Sequence, residues 1–203
     1  MVVAASTQTT DFGASPHRCM QNAISIHPQS WSRIIKAIDT TQEFGGNFFY
    51  DKQTNSLKID DSTVVHGEFD NVVIPHGRYE FHTHPSKCKG SVCALGIPSV
   101  ADIVIHLEDV NKDTLAHFVF EKHGMWVMTP STTLRGEGKD VKRAIAHVHE
   151  MKNTLSSRTG TIEEYETLRN KWLHSSKRIG IRMVFIPHTI KMQSPIFNAL
   201  IKC

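Results

Sequence analysis

The stretch Arg78-Tyr79-Glu80-Phe81-His82-Thr83-His84 alternates polar and aromatic side chains almost to its end and stops at Pro85. Successive side chains of an extended chain point to opposite faces, so this is a strand, with Glu80, His82 and His84 on one face. A polar loop carrying Cys88, Gly90 and Cys93 then runs to Pro98. Ser99 can cap a helix after it, with Val100, Ile103, Val104 and Leu107 along one side. A strand that ends in two imidazoles and leads through a loop into a capped helix needs layers of helix and sheet.

The flanking patterns agree. Pro28-Gln29-Ser30 precedes Trp31, Ile34, Ile35 and Ile38, whose spacing predicts an amphipathic helix of about three turns with a buried stripe. Gly45-Gly46 interrupts, and a strand begins at Asn47-Phe48-Phe49-Tyr50. Ser56–Asp60 alternates like the return of a hairpin. Short strands are expected at 63–69, 71–74, 115–121, 125–128 and 181–186, and helices at 138–156 and 161–174. Helix, strands, loop, helix, strands, helices is the order of an α+β or mixed α/β domain with one central sheet. It lacks the regular alternation of a β/α barrel, and 203 residues is short for one. Residues 1–22 are Ser/Thr/Gln-rich and aperiodic, and read as a flexible tail.

Composition excludes several classes. With 39% hydrophobic and 21% charged residues the chain is too apolar for general disorder. No apolar run approaches the roughly 18 residues of a membrane span, so no membrane partner is expected. The N-terminal residues lack a basic segment followed by an apolar core, and the four cysteines form no CxxC pair. Both features lead us to expect free thiols and an intracellular address, cytoplasmic or nuclear.

Thirteen histidines are the compositional oddity, and spacing decides what they mean. On a strand, the Cα atoms of His82 and His84 lie about 7 Å apart with both rings on one face, which lets them grip one metal ion. Asp102, in the first turn of the next helix, can add an oxygen ligand. Two imidazoles and a carboxylate leave the fourth zinc position open for water, the arrangement of a catalytic rather than a structural site. A second His-x-His, His147-Val148-His149, falls in a predicted helix, where i and i+2 diverge by about 200°. Those two read as helix-surface residues.

The ordered set Glu43 and Gly45-Gly46, then His82-Thr83-His84-Pro85, then Ser99-Val100-Ala101-Asp102 resembles the JAMM (MPN+) metalloprotease family over roughly residues 28–130. The resemblance implies a mixed α/β domain with a central, mostly antiparallel sheet flanked by helices, the cytidine-deaminase-like architecture. It implies one Zn²⁺ per chain held by His82, His84 and Asp102. Glu43 would hold the activated water and shuttle its proton, and Ser99 would hydrogen-bond the developing oxyanion. The implied activity is that of a zinc isopeptidase or deubiquitinase, with ubiquitin or ubiquitin-like conjugates as partners. A non-enzymatic scaffold domain of the same type is the alternative, though such relatives generally lack part of the ligand set.

Two features depart from the family pattern. The interval between His84 and Ser99, from Pro85 to Pro98, is about twice the usual spacing. A surface loop lengthens at small entropic cost, so the ligands can still converge, and the insert should sit at the cleft rim. Glu80 stands where many relatives carry an aromatic residue. A strictly local reading makes Glu80 the acid/base, since it shares a face with both histidines; the resemblance assigns that role to Glu43. Glu80 then orients a ligand imidazole or forms a salt bridge.

Charge is uneven. Residues 135–203 hold 13 Lys/Arg against 6 Asp/Glu, a net of +7, while residues 1–134 hold 10 against 14, a net of −4. We therefore divide the chain into a tail (1–22), a catalytic domain (23–156) and a basic C-terminal extension (157–203). The basic third is either a solvated helical face or a surface for an acidic partner or nucleic acid.

Overall fold

A computed structural model describes residues 21–86, 96–109, 113–130, 138–155, 162–176, 178–188 and 196–200. Along them run β1 (Gln21–Ile26), α1 (Pro28–Ile38), β2 (Phe44–Asp51), β3 (Ser56–Ile59), β4 (Val65–His66), β5 (Tyr79–Thr83), α2 (Val100–Asp109), β6 (Ala116–Glu121), β7 (Gly124–Pro130), α3 (Gly138–Leu155), α4 (Ile162–Ser176), β8 (Ile181–Pro187) and β9 (Ile196–Leu200). The fold is mixed α/β. Its sheet runs β8-β7-β6-β5-β2-β3-β1-β9, with β4 paired to β2. The sheet is itself mixed: β5–β6 and β1–β3 are parallel and the other pairs antiparallel.

The predicted helix at Trp31 forms as α1. Pro28 occupies its first turn, where a missing N–H costs nothing, and the His27 side chain accepts the Gln29 N–H. Trp31, Ile34 and Ile38 are buried, and Ser30 Oγ accepts the Ile59 N–H at 3.0 Å, fastening the helix to β3. Against this helix the sheet presents aromatic rings. Phe48 stacks on Phe81 at 4.4 Å between centroids, and Phe118 and Phe120 meet Phe48 edge-on. Such pairs add about 0.5–1.5 kcal/mol each beyond the area they bury.

The opposite face of the sheet belongs to α2 and α3. Val119, Trp126 and Met128 pack there against Ile103 and Leu107 of α2 and Val141, Ala144 and Val148 of α3. On α3, His149 is exposed and half-buried His147 lies 3.5 Å from Glu150, so this second His-x-His is a helix-surface pair, as its helical phase requires. No described helix is long and apolar enough to cross a membrane.

Two expectations change. The strand predicted over 63–69 shrinks to Val65–His66, and none forms over 71–74. Glu68 N–H donates to Asn71 O at 2.8 Å, which folds the segment into a turn, and Val73 is 80% exposed, so pairing there would bury little apolar surface. The tail drawn through residue 22 ends earlier, because Gln21 and Asn22 belong to β1 and pair with Leu200 and Ala199 of β9. Residues 157–203, expected as a basic extension packed on or following the catalytic domain, supply α4 and two strands: β8 pairs with β7 and β9 with β1. Residues 1–20 and all four cysteines lie outside the described residues, as does the insert from residue 87 to 95.

Candidate metal centre

β5 delivers two imidazoles because its neighbours hold it flat and close. On one side it pairs antiparallel with β2, Gly45 facing His82; a Cβ on Gly45 would lie 2.9 Å from the Phe81 carbonyl. A side chain there would push the strands apart beside a ligand. On the other side β5 runs parallel to β6, and His84 N–H donates to Phe120 O at 2.8 Å, carrying the pairing past the end of the strand. Pleat alternation does the rest. Phe81 faces the aromatic core, while Glu80, His82 and His84 face α2.

His82, His84 and Asp102 converge as the sequence predicts. Their ligand atoms lie within 4.8 Å of one another. The two Nε2 atoms are 3.1 Å apart, His82 Nε2 lies 3.3 Å from Asp102 Oδ1 and His84 Nε2 3.4 Å from Oδ2. Neighbouring ligand atoms around a tetrahedral ion with bonds of about 2.0–2.1 Å are about 3.3 Å apart. Two borderline nitrogens and a hard oxygen at that spacing fit a divalent cation, and these three residues are positioned to bind one. The outer contacts agree: the His84 ring donates to the Gly96 carbonyl, which leaves Nε2 facing the ion position.

The Glu43 carboxylate lies 4.0 Å from His84 Nε2 and is buried. Its backbone is pinned on both sides. Glu43 donates to Glu68 O at 2.8 Å, Gly67 donates to Glu43 O at 2.9 Å, and the next residue, Phe44, donates to Thr83 Oγ1 at 3.1 Å. Thr83 therefore faces away from the histidines, as the alternation of a strand requires. Burial pushes the Glu43 carboxyl up to about 7, with Asp102 and Asp70 adding to the rise and His84 opposing it.

The ligands are held in opposite senses. Burial pulls His82 down to about 4 against the attraction of Asp102. Burial opposes charge on His84 as well, but Asp102, Glu43 and the Gly96 carbonyl outweigh it and push the ring up to about 9. Burial disfavours the Asp102 carboxylate, yet the two imidazoles hold it well below the usual range.

Ser99 has a second task. Asp102 N–H donates to Ser99 Oγ at 3.1 Å, and Ser99 N–H donates to Asp102 Oδ2 at 2.5 Å. Ser-x-x-Asp is thus a capping box, satisfying two orphan N–H groups at the start of α2 while fixing the rotamer of Asp102.

Glu80 takes no place in this cluster. Its Oε1 accepts from Gly77 N–H at 3.0 Å and lies 3.0 Å from His76 Nδ1; its Oε2 lies 3.4 Å from His117 Nδ1. Burial raises this carboxyl, but His117, Gly77 and His76 together bring it below the ordinary value. A second group with close ligand atoms, His76, Glu80 and Asp109, lies on this side of the sheet.

The sequence reading missed His117 and Glu121. His117 Nε2 is 2.9 Å from His82 Nδ1. Glu121 accepts from His123 N–H and from the Tyr165 hydroxyl of α4, and it packs where a Cβ on Gly96 would come within 2.7 Å of its Oε2. Gly96 also has φ +77°, so glycine is required there twice over. Alternation along Leu115–Glu121 carries the missing signal: His117 and Glu121 share the face opposite Phe118 and Phe120. No family model, curated protein or solved structure matches this chain.

Proposed function

We propose that the chain is a zinc-dependent hydrolase of the JAMM type, cleaving a peptide or isopeptide bond, with ubiquitin or ubiquitin-like conjugates as its substrate class. One observation carries the reading: two imidazoles and a carboxylate converge within 4.8 Å, and a second, buried carboxyl group stands 4.0 Å from one of the imidazoles. A hydrolase needs that division of labour between ligands and an acid/base group.

Bound by His82, His84 and Asp102, a zinc ion supplies Lewis acidity and brings water within reach of ionisation near pH 7. Glu43, raised to about 7, can accept a proton from the attacking water and return it to the departing amine at neutral pH. The two imidazoles keep Asp102 ionised, and burial keeps the His82 ring neutral. The Ser99 hydroxyl, at the N-terminus of α2, donates to the developing oxyanion; one such donor is worth about 2–4 kcal/mol. No cysteine is needed as nucleophile.

The test is metal analysis of the purified chain followed by incubation with linkage-defined ubiquitin chains. One zinc per chain and chelator-sensitive cleavage are expected. Zinc binding without cleavage of any conjugate would leave the scaffold reading, and a protein that binds no zinc would end both.

A further inference from the structure

Behind the ligand set runs a buried line of three polar side chains. Glu80 and His117 are register partners on the parallel strands β5 and β6, so their side chains emerge side by side on the face turned toward α2. Glu80, His117 and His82 are each 2% exposed. His117 Nδ1 lies 3.4 Å from Glu80 Oε2, and His117 Nε2 lies 2.9 Å from His82 Nδ1. The far side of the His117 ring meets the His106 ring of α2 edge-on at 6.0 Å, which fixes its plane.

Proton accounting allows few arrangements. The Glu80 carboxylate, 3.4 Å away though outside hydrogen-bonding geometry, favours the proton on His117 Nδ1 by its charge, since a carboxylate only accepts. Neutral His117 then offers a bare Nε2, which accepts from His82 Nδ1–H. That leaves His82 Nε2 without a proton, turned toward His84 and Asp102 at 3.1 and 3.3 Å. The Asp102 carboxylate, 3.3 Å from Nε2, favours the opposite tautomer, so the His82 proton registers the balance between Asp102 on one side and the Glu80–His117 pair on the other. Glu80 is itself anchored by the Gly77 N–H at 3.0 Å and the Thr114 hydroxyl at 3.4 Å, so the chain begins at a fixed point.

We propose that Glu80 and His117 are positioning residues that set the tautomer and ring orientation of His82 through this chain, keeping its Nε2 ready for the metal. The proposal deepens the metal-site reading and rests on it. An imidazole ligand whose other nitrogen is held by a carboxylate is a stronger base and loses less freedom on binding; loss of such a partner costs metal sites about 10–100-fold in affinity. Here the carboxylate acts one imidazole further away, which lets a buried charge influence the ligand without occupying the ion's surroundings.

The experiment uses the full chain labelled with ¹⁵N-histidine, with long-range proton–nitrogen correlation to read tautomers and chelator competition to read zinc affinity. His82→Gln identifies the His82 signals. In the wild type without zinc, His82 is expected to carry its proton on Nδ1. His117→Phe keeps a ring of similar size but removes the acceptor; the Nδ1-protonated population should fall and zinc should bind about 10–100-fold more weakly. His117→Gln, which retains an acceptor and a donor, should recover most of both. A wild-type His82 protonated on Nε2, or a folded His117→Phe protein with unchanged tautomer and zinc affinity, overturns the proposal. Should wild type bind no zinc at all, the metal-site reading fails, and the tautomer measurement still decides whether the chain exists.

Discussion

The Thr83 hydroxyl accepts the backbone N–H of Phe44 at 3.1 Å, tying the residue between the two histidines to the residue after Glu43. Thr83 is fully buried, so this N–H has no recourse to water. Thr83→Val keeps the shape and deletes the acceptor. An unsatisfied buried donor costs about 1–3 kcal/mol, and the loss should appear as a lower denaturation midpoint. Thr83→Ser should stand close to wild type. Hydrolysis by Thr83→Val at saturating zinc should fall as well, because Glu43 loses one of its backbone tethers. Equal stability of the Val and Ser variants would show that the hydrogen bond holds nothing.

Glu121 gives a pH test in which the direction is fixed. Burial raises its carboxyl to about 7, against the hydrogen bonds from Tyr165 and His123 N–H. The folded value lies above the unfolded one, so the folded state binds the extra proton. Folding carries no penalty from this group below about pH 4.5; the penalty grows up to about pH 7 and is constant above it, reaching about 3 kcal/mol at most. Glu121→Gln should therefore be more stable relative to wild type at pH 8 than at pH 4. Urea midpoints of both proteins at the two pH values measure the difference. A gap independent of pH would mean that the carboxyl ionises freely in the fold.

These two relationships mark where sequence reading works and where it stops. α1, β5 and α2 were legible because their signals are local: a 3–4 apolar spacing, a two-residue alternation ended by Pro85, a capping residue before an apolar stripe. The ligand trio was legible because strand geometry turns His82 and His84 to one face and the Ser99 cap sets Asp102 in the first turn of the next helix. β1 and β9 were not, since neither has a clean alternation and each exists through the other, across more than 170 residues of chain. For the acid/base, local alternation pointed to Glu80 and the resemblance to Glu43. What separates them is burial beside the histidines for one, and an imidazole 3.4 Å away on β6 for the other. His117 and Glu121 were visible as polar residues on a buried strand, but the phenylalanines between them set the reading toward core.

Zinc should act as a folding ligand. At a free concentration about 100-fold above its Kd, a bound ion adds about 2.7 kcal/mol to stability. Wild type should gain thermal stability with zinc and lose it with a chelator, while His84→Ala and His82→Ala should respond to neither. Stoichiometry should be one. A further equivalent that persists in His82→Ala and disappears in His76→Ala would place a second ion on His76, Glu80 and Asp109.

The comparison that decides the chemistry is Glu43→Gln against Glu80→Gln. Glu43 is the buried carboxyl beside His84 and has no hydrogen bond to tie it up among the described contacts at its side chain, apart from the 4.0 Å approach of that ring. Its amide analogue has the same shape and cannot take up a proton, so fold and zinc should survive while hydrolysis falls by about 10²–10⁴-fold, the size of a lost general base. Glu80→Gln acts elsewhere. Its oxygen still accepts from Gly77, but the charge facing His117 is gone, so the change should appear in zinc affinity and shrink once zinc is saturating. Ser99→Ala should fall between them, losing one oxyanion donor, about 10²–10³-fold in rate, together with about 1 kcal/mol of helix cap. Linkage-defined conjugates that wild type cleaves, assayed at saturating and limiting zinc, separate these outcomes. Full turnover by Glu43→Gln beside an inert, zinc-loaded Glu80→Gln would exchange the two roles. It would place the proton transfer behind the ligands, where Glu80 is sealed by His76, His117 and Thr114, rather than in front of them.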